Sequence, residues 1–249
     1  MHLLTPGGWG HSRHLRALRD PDYDHATQKH PVREKHAGDR GWRADEEAGV
    51  LRRDYASYEE YKTHQGLKFH EILKLHGGLS NRVVFQYRMT FYRRFRHLVP
   101  LLPSRASIMC AGARQGTEVE VLRDLGFENA YGIDLNPGPS NPLVRTGDFM
   151  KLQEATGSVD LVYSNCVDHA FDLGQFFAEH ARVVKPEGYA LYDLAVMAEG
   201  SKGAFEAVSW KRTEDLLIRI LDHFEHIRLL SRERDWMWVL VQGPRHRQN

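Results

Sequence analysis

Cysteine is scarce in this chain: Cys110 and Cys166 are the only two among 249 residues. Two thiols cannot build a disulfide framework, and Cys110 sits in an apolar run expected to be a buried strand. A reducing, cytoplasmic setting is therefore expected. No apolar run approaches the roughly 20 residues needed to span a bilayer. Residues 1–10 contain Pro6-Gly7-Gly8 and lack the apolar core of a secretory signal. An excess of one charge sign is also missing. With 27% charged residues and a formal net charge of +1, the whole molecule has no strong field for nucleic acid or an acidic membrane. Aliphatic residues thin out over residues 1–54, which are rich in His, Arg, Asp and Gly and show no period. Such a segment cannot offset its ordering entropy by burial, so a mobile tail is expected there. Its histidines (His2, His11, His14, His25, His30, His36) have no cysteine beside them and no zinc-type spacing, so no metal site is expected. No internal repeat occurs.

What is present is an alternation of helical and strand patterns after residue 55. Ser57 with Glu60 three positions on is a capping-box signal, and residues 58–76 read as a helix stopped by Gly77-Gly78. A second helix is expected over 81–99, where Val84, Tyr87, Phe91, Phe95 and Leu98 share one face before Pro100 and Pro103. These two helices are expected to form a flank or lid over residues 55–103. From residue 104 to 249 one α/β domain is expected. Its strands read at 107–111, 130–135, 144–146, 159–164 and 189–194, and its helices at 116–125, 173–184 and 213–223. Two neighbouring strands, 227–230 and 235–241, follow with hairpin-like spacing. A mostly parallel, doubly wound sheet with one antiparallel strand at its end is the expected architecture.

The first of these strands leads into Gly112-Ala113-Arg114-Gln115-Gly116. Gly112 lets the backbone turn tightly and lets a ligand approach. Gly116 stands at a helix start, where free N–H groups favour an anion. Two turn glycines alone are a weak signal. Asp134 strengthens it by closing the second strand about twenty residues on, where a carboxylate meets ribose hydroxyls in nucleoside-binding α/β folds. Its structural alternative is to cap the turn Asn136-Pro137-Gly138. Gly147-Asp148-Phe149 is a third polar strand end, with Asp148 suited to an adenine amino group and Phe149 to its ring. The dinucleotide fingerprint Gly-x-Gly-x-x-Gly is absent, which argues against a nicotinamide cofactor.

Residues from about 107 to 194 resemble a class I S-adenosylmethionine-dependent methyltransferase, a Rossmann-like fold with a seven-stranded sheet. They resemble especially the subgroup whose first motif reads Gly-Ala-Arg-x-Gly-x-Glu and whose second reads Gly-Ile-Asp-Leu. Val159-Asp160-Leu161-Val162-Tyr163-Ser164-Asn165 is similar to the family's fourth-strand motif. Arg182-Val183-Val184-Lys185-Pro186-Glu187-Gly188 is similar to the helix and turn before the fifth. The resemblance implies S-adenosylmethionine as cofactor. Its methionine part would lie on Ala111, Gly112, Ala113, Arg114 and Gly116, its ribose on Asp134 beside Leu135, and its adenine on Asp148 and Phe149, with Asn165 at the edge. Two family features are missing: an acid just before the first glycine, replaced by Cys110-Ala111, and a third glycine. Arg114 would compensate by pairing with the methionine carboxylate.

The acceptor is expected beside the fourth-strand end, at Ser164-Asn165-Cys166-Val167-Asp168-His169. In-line methyl transfer needs alignment, and a hydroxyl acceptor also needs a base. His169 is the candidate base, and Asp168 either orients it or acts alone. The structural alternative is that Asp168 or Asp172 caps the next helix and His169 packs at the rim. Asn165-Cys166-Val167-Asp168 lacks the prolines of the Asn-Pro-Pro-aromatic motif used for amino-group methylation. Cys166 lacks the preceding proline of cytosine-carbon methyltransferases. Oxygen methylation of a small-molecule or glycan-like acceptor is the resulting expectation. A catalytically degenerate binding domain and an RNA methyltransferase are the alternatives.

Acidic residues are absent from 72 to 117, a window holding Lys74, Arg82, Arg88, Arg93, Arg94, Arg96, Arg105 and Arg114. An anionic acceptor or an RNA backbone is one reading. A solvated face, or pairing with Asp45-Glu46-Glu47 and Glu59-Glu60, is the favoured one, so nucleic acid is not the expected partner.

Overall fold

A computed structural model describes residues 41–45, 49–76, 81–138, 140–196, 205–233 and 236–245. Residues 1–40, which carry most of the expected tail and all six of its histidines, lie outside that set.

The sheet is built around β3 (Ile108–Ala111), whose four residues are all buried. A strand covered on both faces reads as an unbroken apolar run, which is why this one was legible. β4 (Ala130–Asp134) and β5 (Val144–Thr146) extend the sheet to one side of β3. β6 (Val159–Ser164) and β7 (Val184–Ala195) extend it to the other, and all five strands run parallel. β9 (Phe224–Arg232) and β10 (Trp236–Pro244) complete the order β5-β4-β3-β6-β7-β10-β9. β10 is antiparallel to both its neighbours, so the single reversed strand is inserted between β7 and β9 rather than added at the edge. The chain leaves β3 first to one side and later returns to the other. That reversal opens a crevice at the C-terminal ends of β3 and β6, the place where α/β sheets bind ligands.

Alternation along β3 sends its side chains to two cores. Met109 and Ala111 join Phe176, Phe177, Tyr192 and Trp210 on one face. Ile108 and Cys110 join Phe91, Phe95, Leu98, Val119 and Leu122 on the other. Among the helices, α1 is Tyr58–His76, α2 is Asn81–Phe95 and α3 is Thr117–Asp124. α4 is Leu173–Val183 and α5 is Thr213–Leu221. α2 ends at Phe95, four residues before the expected stop, because the chain tightens into turns ahead of Pro100, with Leu98 N–H donating to the Phe95 carbonyl. Its Phe95 meets Tyr163 edge-on at 4.8 Å, so α2 is a packed flank under the sheet and not a lid.

The expected tail boundary at residue 54 is corrected by β1 (Trp42–Asp45) and β2 (Val50–Arg53). These pair antiparallel with each other, and β2 pairs with β8 (Val208–Trp210) in a second, three-stranded sheet. Val50 and Trp210 are buried in the main core. Strands this short carry no readable period, and their partner lies some 150 residues away. At α1 the serine half of the capping box forms, with Ser57 Oγ accepting from Glu60 N–H, while the Glu60 carboxylate accepts from Ala56 N–H, one residue ahead of the cap. Among the described residues no helix is long and apolar enough to cross a membrane.

Candidate functional site

Beyond β3 the backbone turns through Gly112, with φ 77°, and Arg114, with φ 47°. The N–H groups of Gly112 and Ala113 both donate to the Ile133 carbonyl at 2.9 and 3.0 Å. Arg114 N–H donates to Asp134 Oδ2 at 2.8 Å, and Asn136 N–H to Asp134 Oδ1 at 2.7 Å. Asp134 therefore does cap its own turn, and it also fastens the glycine loop to the end of β4. Each oxygen has accepted one hydrogen bond and keeps a second lone pair. Gly116, φ 86°, opens α3 with no side-chain cap, and a Cβ there would press on Leu143 and Val144.

The end of β6 is stitched to the end of β3. Ser164 Oγ and Cys166 Sγ both donate to the Ala111 carbonyl, at 3.1 and 3.3 Å. A Cβ on Gly112 would collide with Cys166 Sγ, so a bare α-carbon is what lets these two strand ends close up. Burial pushes the Cys166 thiol up to about 12, so it is a wall, without thiolate character at neutral pH.

Over this crevice lies α1. Gly112, Arg114, Asp134, Leu135, Asn136, Phe149, Cys166 and His169 form the floor and sides of a cleft, and Tyr61, Gln65 and Lys68 reach into it from the helix. Of the expected residues, the structure thus gathers Gly112, Arg114, Asp134, Leu135, Phe149 and His169. Ala111 and Ala113 are buried behind the lining, while Gly116, Asn165 and Asp168 stand off it. Asp148 also stands off the cleft: its Oδ1 accepts from Met150 N–H and its Oδ2 accepts from the Tyr58 hydroxyl at 2.6 Å.

Expectation missed Tyr61, Gln65 and Lys68. They sit four and three residues apart, with Tyr58 one turn earlier, so one face of α1 carries all four. That spacing was the available signal. Aromatic packing seats the face: Tyr58 stacks on Tyr61 at 5.2 Å and meets Phe171 at 5.1 Å.

His169 is held by three contacts. Tyr61 Oη donates to its carbonyl at 2.9 Å. The Nδ1 ring atom lies 2.9 Å from the Phe205 carbonyl, which can only accept, so Nδ1 carries the proton. Nε2 is then the acceptor, and Lys68 Nζ donates to it at 2.8 Å. Asp168 does not orient the ring as expected. Its carboxylate is 3.9 Å from Nε2, beyond hydrogen-bond reach, and the Phe205 carbonyl takes that role. Burial, with Lys68 adding to it, lowers His169 to about 3. Burial and then the Arg114 charge bring Lys68 down to about 8. Burial raises Asp168 to about 6, with Lys68 pulling the other way. Asp172 supplies the helix cap, accepting from Gln175 N–H at the start of α4.

Within the acid-free window Arg88 and Arg94 turn inward, while Arg93, Arg96 and Arg105 are exposed. Arg88 bridges Glu120 and Asp124, Arg94 pairs with the buried Asp193, and Arg93 lies 3.6 Å from Glu233. These partners come from α3, β7 and the loop before β10.

Residues 109–192 match a methyltransferase domain family model. The match, over about a third of the chain, is to an enzyme domain whose cofactor is S-adenosylmethionine. Its fold recurs in the 1,6-didemethyltoxoflavin-N1-methyltransferase of Burkholderia thailandensis, solved with S-adenosylhomocysteine. That protein is 14% identical, with a TM-score of 0.55, over 83% of this chain and 99% of the other. A putative methyltransferase complexed with the Trm112 activator of Haloferax volcanii is 15% identical, with a TM-score of 0.51, over 67% and 95%. A possible histamine N-methyltransferase of Thermotoga maritima is 12% identical, with a TM-score of 0.50, over 74% and 98%. No curated protein matches the chain by sequence. The methyltransferase core thus spans β3 to β7, while the α1 residues of the cleft come from outside the matched segment.

Proposed function

We propose that this methyltransferase transfers the methyl group to an oxygen of a small-molecule or glycan-like acceptor. When bound, the cofactor supplies an electrophilic methyl group on a sulfonium. Gly112 lines the cleft and fits the methionine part because its turn, closed against Cys166, puts no side chain between backbone and ligand. Arg114 would take the carboxylate, and Asp134, with one lone pair left on each oxygen, would accept the two ribose hydroxyls. Phe149 would cover the adenine, whose amino group would share Asp148 with Tyr58. On the acceptor side, one observation carries the oxygen reading: His169 is held as the Nδ1–H tautomer, which makes Nε2, now accepting from Lys68, the ring's proton-accepting atom in the cleft. A hydroxyl needs such an atom to receive its proton, and general-base catalysis is worth about 10²–10⁴-fold.

Calorimetric titration with S-adenosylhomocysteine tests the cofactor half, with Asp134→Ala expected to weaken binding at least about tenfold. Unchanged affinity in that variant would overturn the assignment. Transfer of labelled methyl from S-adenosylmethionine to phenols, hydroxy acids and sugars, set against matched amines, tests the acceptor half. Transfer to amines alone would refute the oxygen reading. His169→Gln should lower turnover by about 10²-fold or more while cofactor affinity stays.

A further inference from the structure

The cleft holds two cations, Lys68 and Arg114, and its lining has a single carboxylate, Asp134. Both oxygens of Asp134 are already engaged by backbone N–H groups. Neither Lys68 nor Arg114 has a carboxylate within 4 Å among the described residues. Among the described residues the one hydrogen-bond partner of Lys68 Nζ is the neutral His169 ring, which leaves two N–H donors unused, while Asp168 and Glu206 offset the charge only from beyond ion-pair distance. An ammonium that is half withdrawn from water without a counter-ion is costly, and an arriving anion removes that cost. The cofactor brings one carboxylate, which falls to Arg114 on the glycine loop. Lys68, on α1, is left for the acceptor.

We propose that Lys68 anchors a carboxylate carried by the methyl acceptor, so that the substrate is a small hydroxylated monocarboxylic acid. This rests on the methyl-transfer reading above and names the substrate class of the same site. A carboxylate fits better than a phosphate dianion. One cation remains for it, and Asp134 and Asp168 nearby would repel a second negative charge. Anchoring also changes His169. Nζ turns from Nε2 to the bound carboxylate, so the Nε2 lone pair becomes free for the acceptor hydroxyl. The neutralised ammonium no longer opposes protonation of the ring, to which it is the main charged contributor. In the transfer, the hydroxyl proton goes to Nε2 and the oxygen lone pair forms the bond to the methyl carbon. The carbon–sulfur bond breaks and sulfur keeps its pair. The free base and the bound acid thus come from one contact.

The groups facing Lys68 are Arg114 from the loop after β3, Cys166, Asp168 and His169 from the segment after β6, and Glu206 ahead of β8. The ammonium loses its proton as pH rises through about 8, so carboxylate binding should be full near pH 7 and fade by pH 9.5.

The test is calorimetry on the full chain saturated with S-adenosylhomocysteine. The probes are 3- and 4-hydroxybenzoate and mandelate, with 4-hydroxybenzamide and phenyl phosphate as controls. At least one acid should bind in the millimolar range or tighter, at least about tenfold better than the neutral amide. Lys68→Met should remove that preference, Lys68→Arg should keep most of it, and both should unfold at the wild-type midpoint. Overturning results are equal binding of amide and acid, tighter binding of phenyl phosphate, no binding of any acid, or an acid affinity that rises between pH 7 and 9.5. Should S-adenosylhomocysteine itself fail to bind, the cofactor reading fails. Acid binding that depends on Lys68, measured on the cofactor-free protein, then still decides the anchor separately.

Discussion

Gly112→Ala combines two penalties that the structure lets one separate. The residue sits at φ 77°, a left-handed conformation that costs an L-residue about 1–2 kcal/mol. Its new Cβ would also collide with Cys166 Sγ. That thiol cannot swing aside freely, because it is buried and bonded to the Ala111 carbonyl and to Ser164 Oγ. Overpacking of this kind costs about 1–3 kcal/mol, so the total should reach about 2–5 kcal/mol. Gly126 provides the control: its φ is 98°, yet a Cβ there meets nothing within 4 Å. Gly126→Ala should cost the backbone part only, about 1–2 kcal/mol. Cys166→Ala alone should cost about 1 kcal/mol from lost burial. In the double variant Gly112→Ala/Cys166→Ala the collision disappears, so its cost should fall below the sum of the singles by about 1–3 kcal/mol. Urea unfolding followed by circular dichroism measures all four proteins. The reasoning is refuted if Gly112→Ala costs no more than Gly126→Ala, or if the double variant is additive.

Glu118, in the first turn of α3, is raised by burial to about 8. Between the carboxylate's usual range and pH 8 the folded state therefore binds more protons than the unfolded one, and stability should fall as pH rises across that window. Glu118→Gln should flatten that slope in unfolding curves taken from pH 5 to 8; an unaltered slope would contradict the assignment. Arg94 and Asp193 form a buried pair beneath the sheet, with Tyr163 Oη donating to the same carboxylate and the guanidinium 4.9 Å over Trp238. Arg94→Met should cost about 3–5 kcal/mol by leaving a buried charge unpaired. Arg94→Met/Asp193→Asn should cost less than Arg94→Met alone in the same urea assay, and a larger cost would show that the charge is not the cause.

The sheet was legible where a strand was covered on both faces or followed by a helix of two turns or more. β3, β4, β5 and β6 lie within a residue of their expected bounds, because apolar runs ended by glycine or a polar turn leave little choice of edge. β7 proved five residues longer at its start, since Lys185-Pro186-Glu187-Gly188 reads as a turn yet continues the strand. β1, β2 and β8 were invisible, being three or four residues each and made strands only by one another. At the site, Gly112 and Asp134 could be placed from spacing alone, because the βα unit fixes them through local backbone geometry. That Tyr58 holds Asp148 could not be read, since 90 residues separate the two.

This division has a physical cause. The proposed donor side of the cleft is made by strand ends, whose positions follow from hydrogen-bonded register, so short motifs within residues 109–192 report it. The proposed acceptor side is made by side chains of α1 and by the Phe205 carbonyl, which reach the cleft only through tertiary packing. On a helical face, Gln65 and Lys68 read as breaks in an apolar stripe, the pattern of any solvated helix. Their meaning appears once Phe171 and the two tyrosines turn that face inward. On the proposed reading, changes in α1 would exchange the acceptor while the strand ends proposed to hold the donor stay as they are. Substitutions at Gln65 and Lys68 should accordingly shift acceptor choice far more than affinity for S-adenosylhomocysteine. Equal effects on both would mean that α1 belongs to the donor site instead.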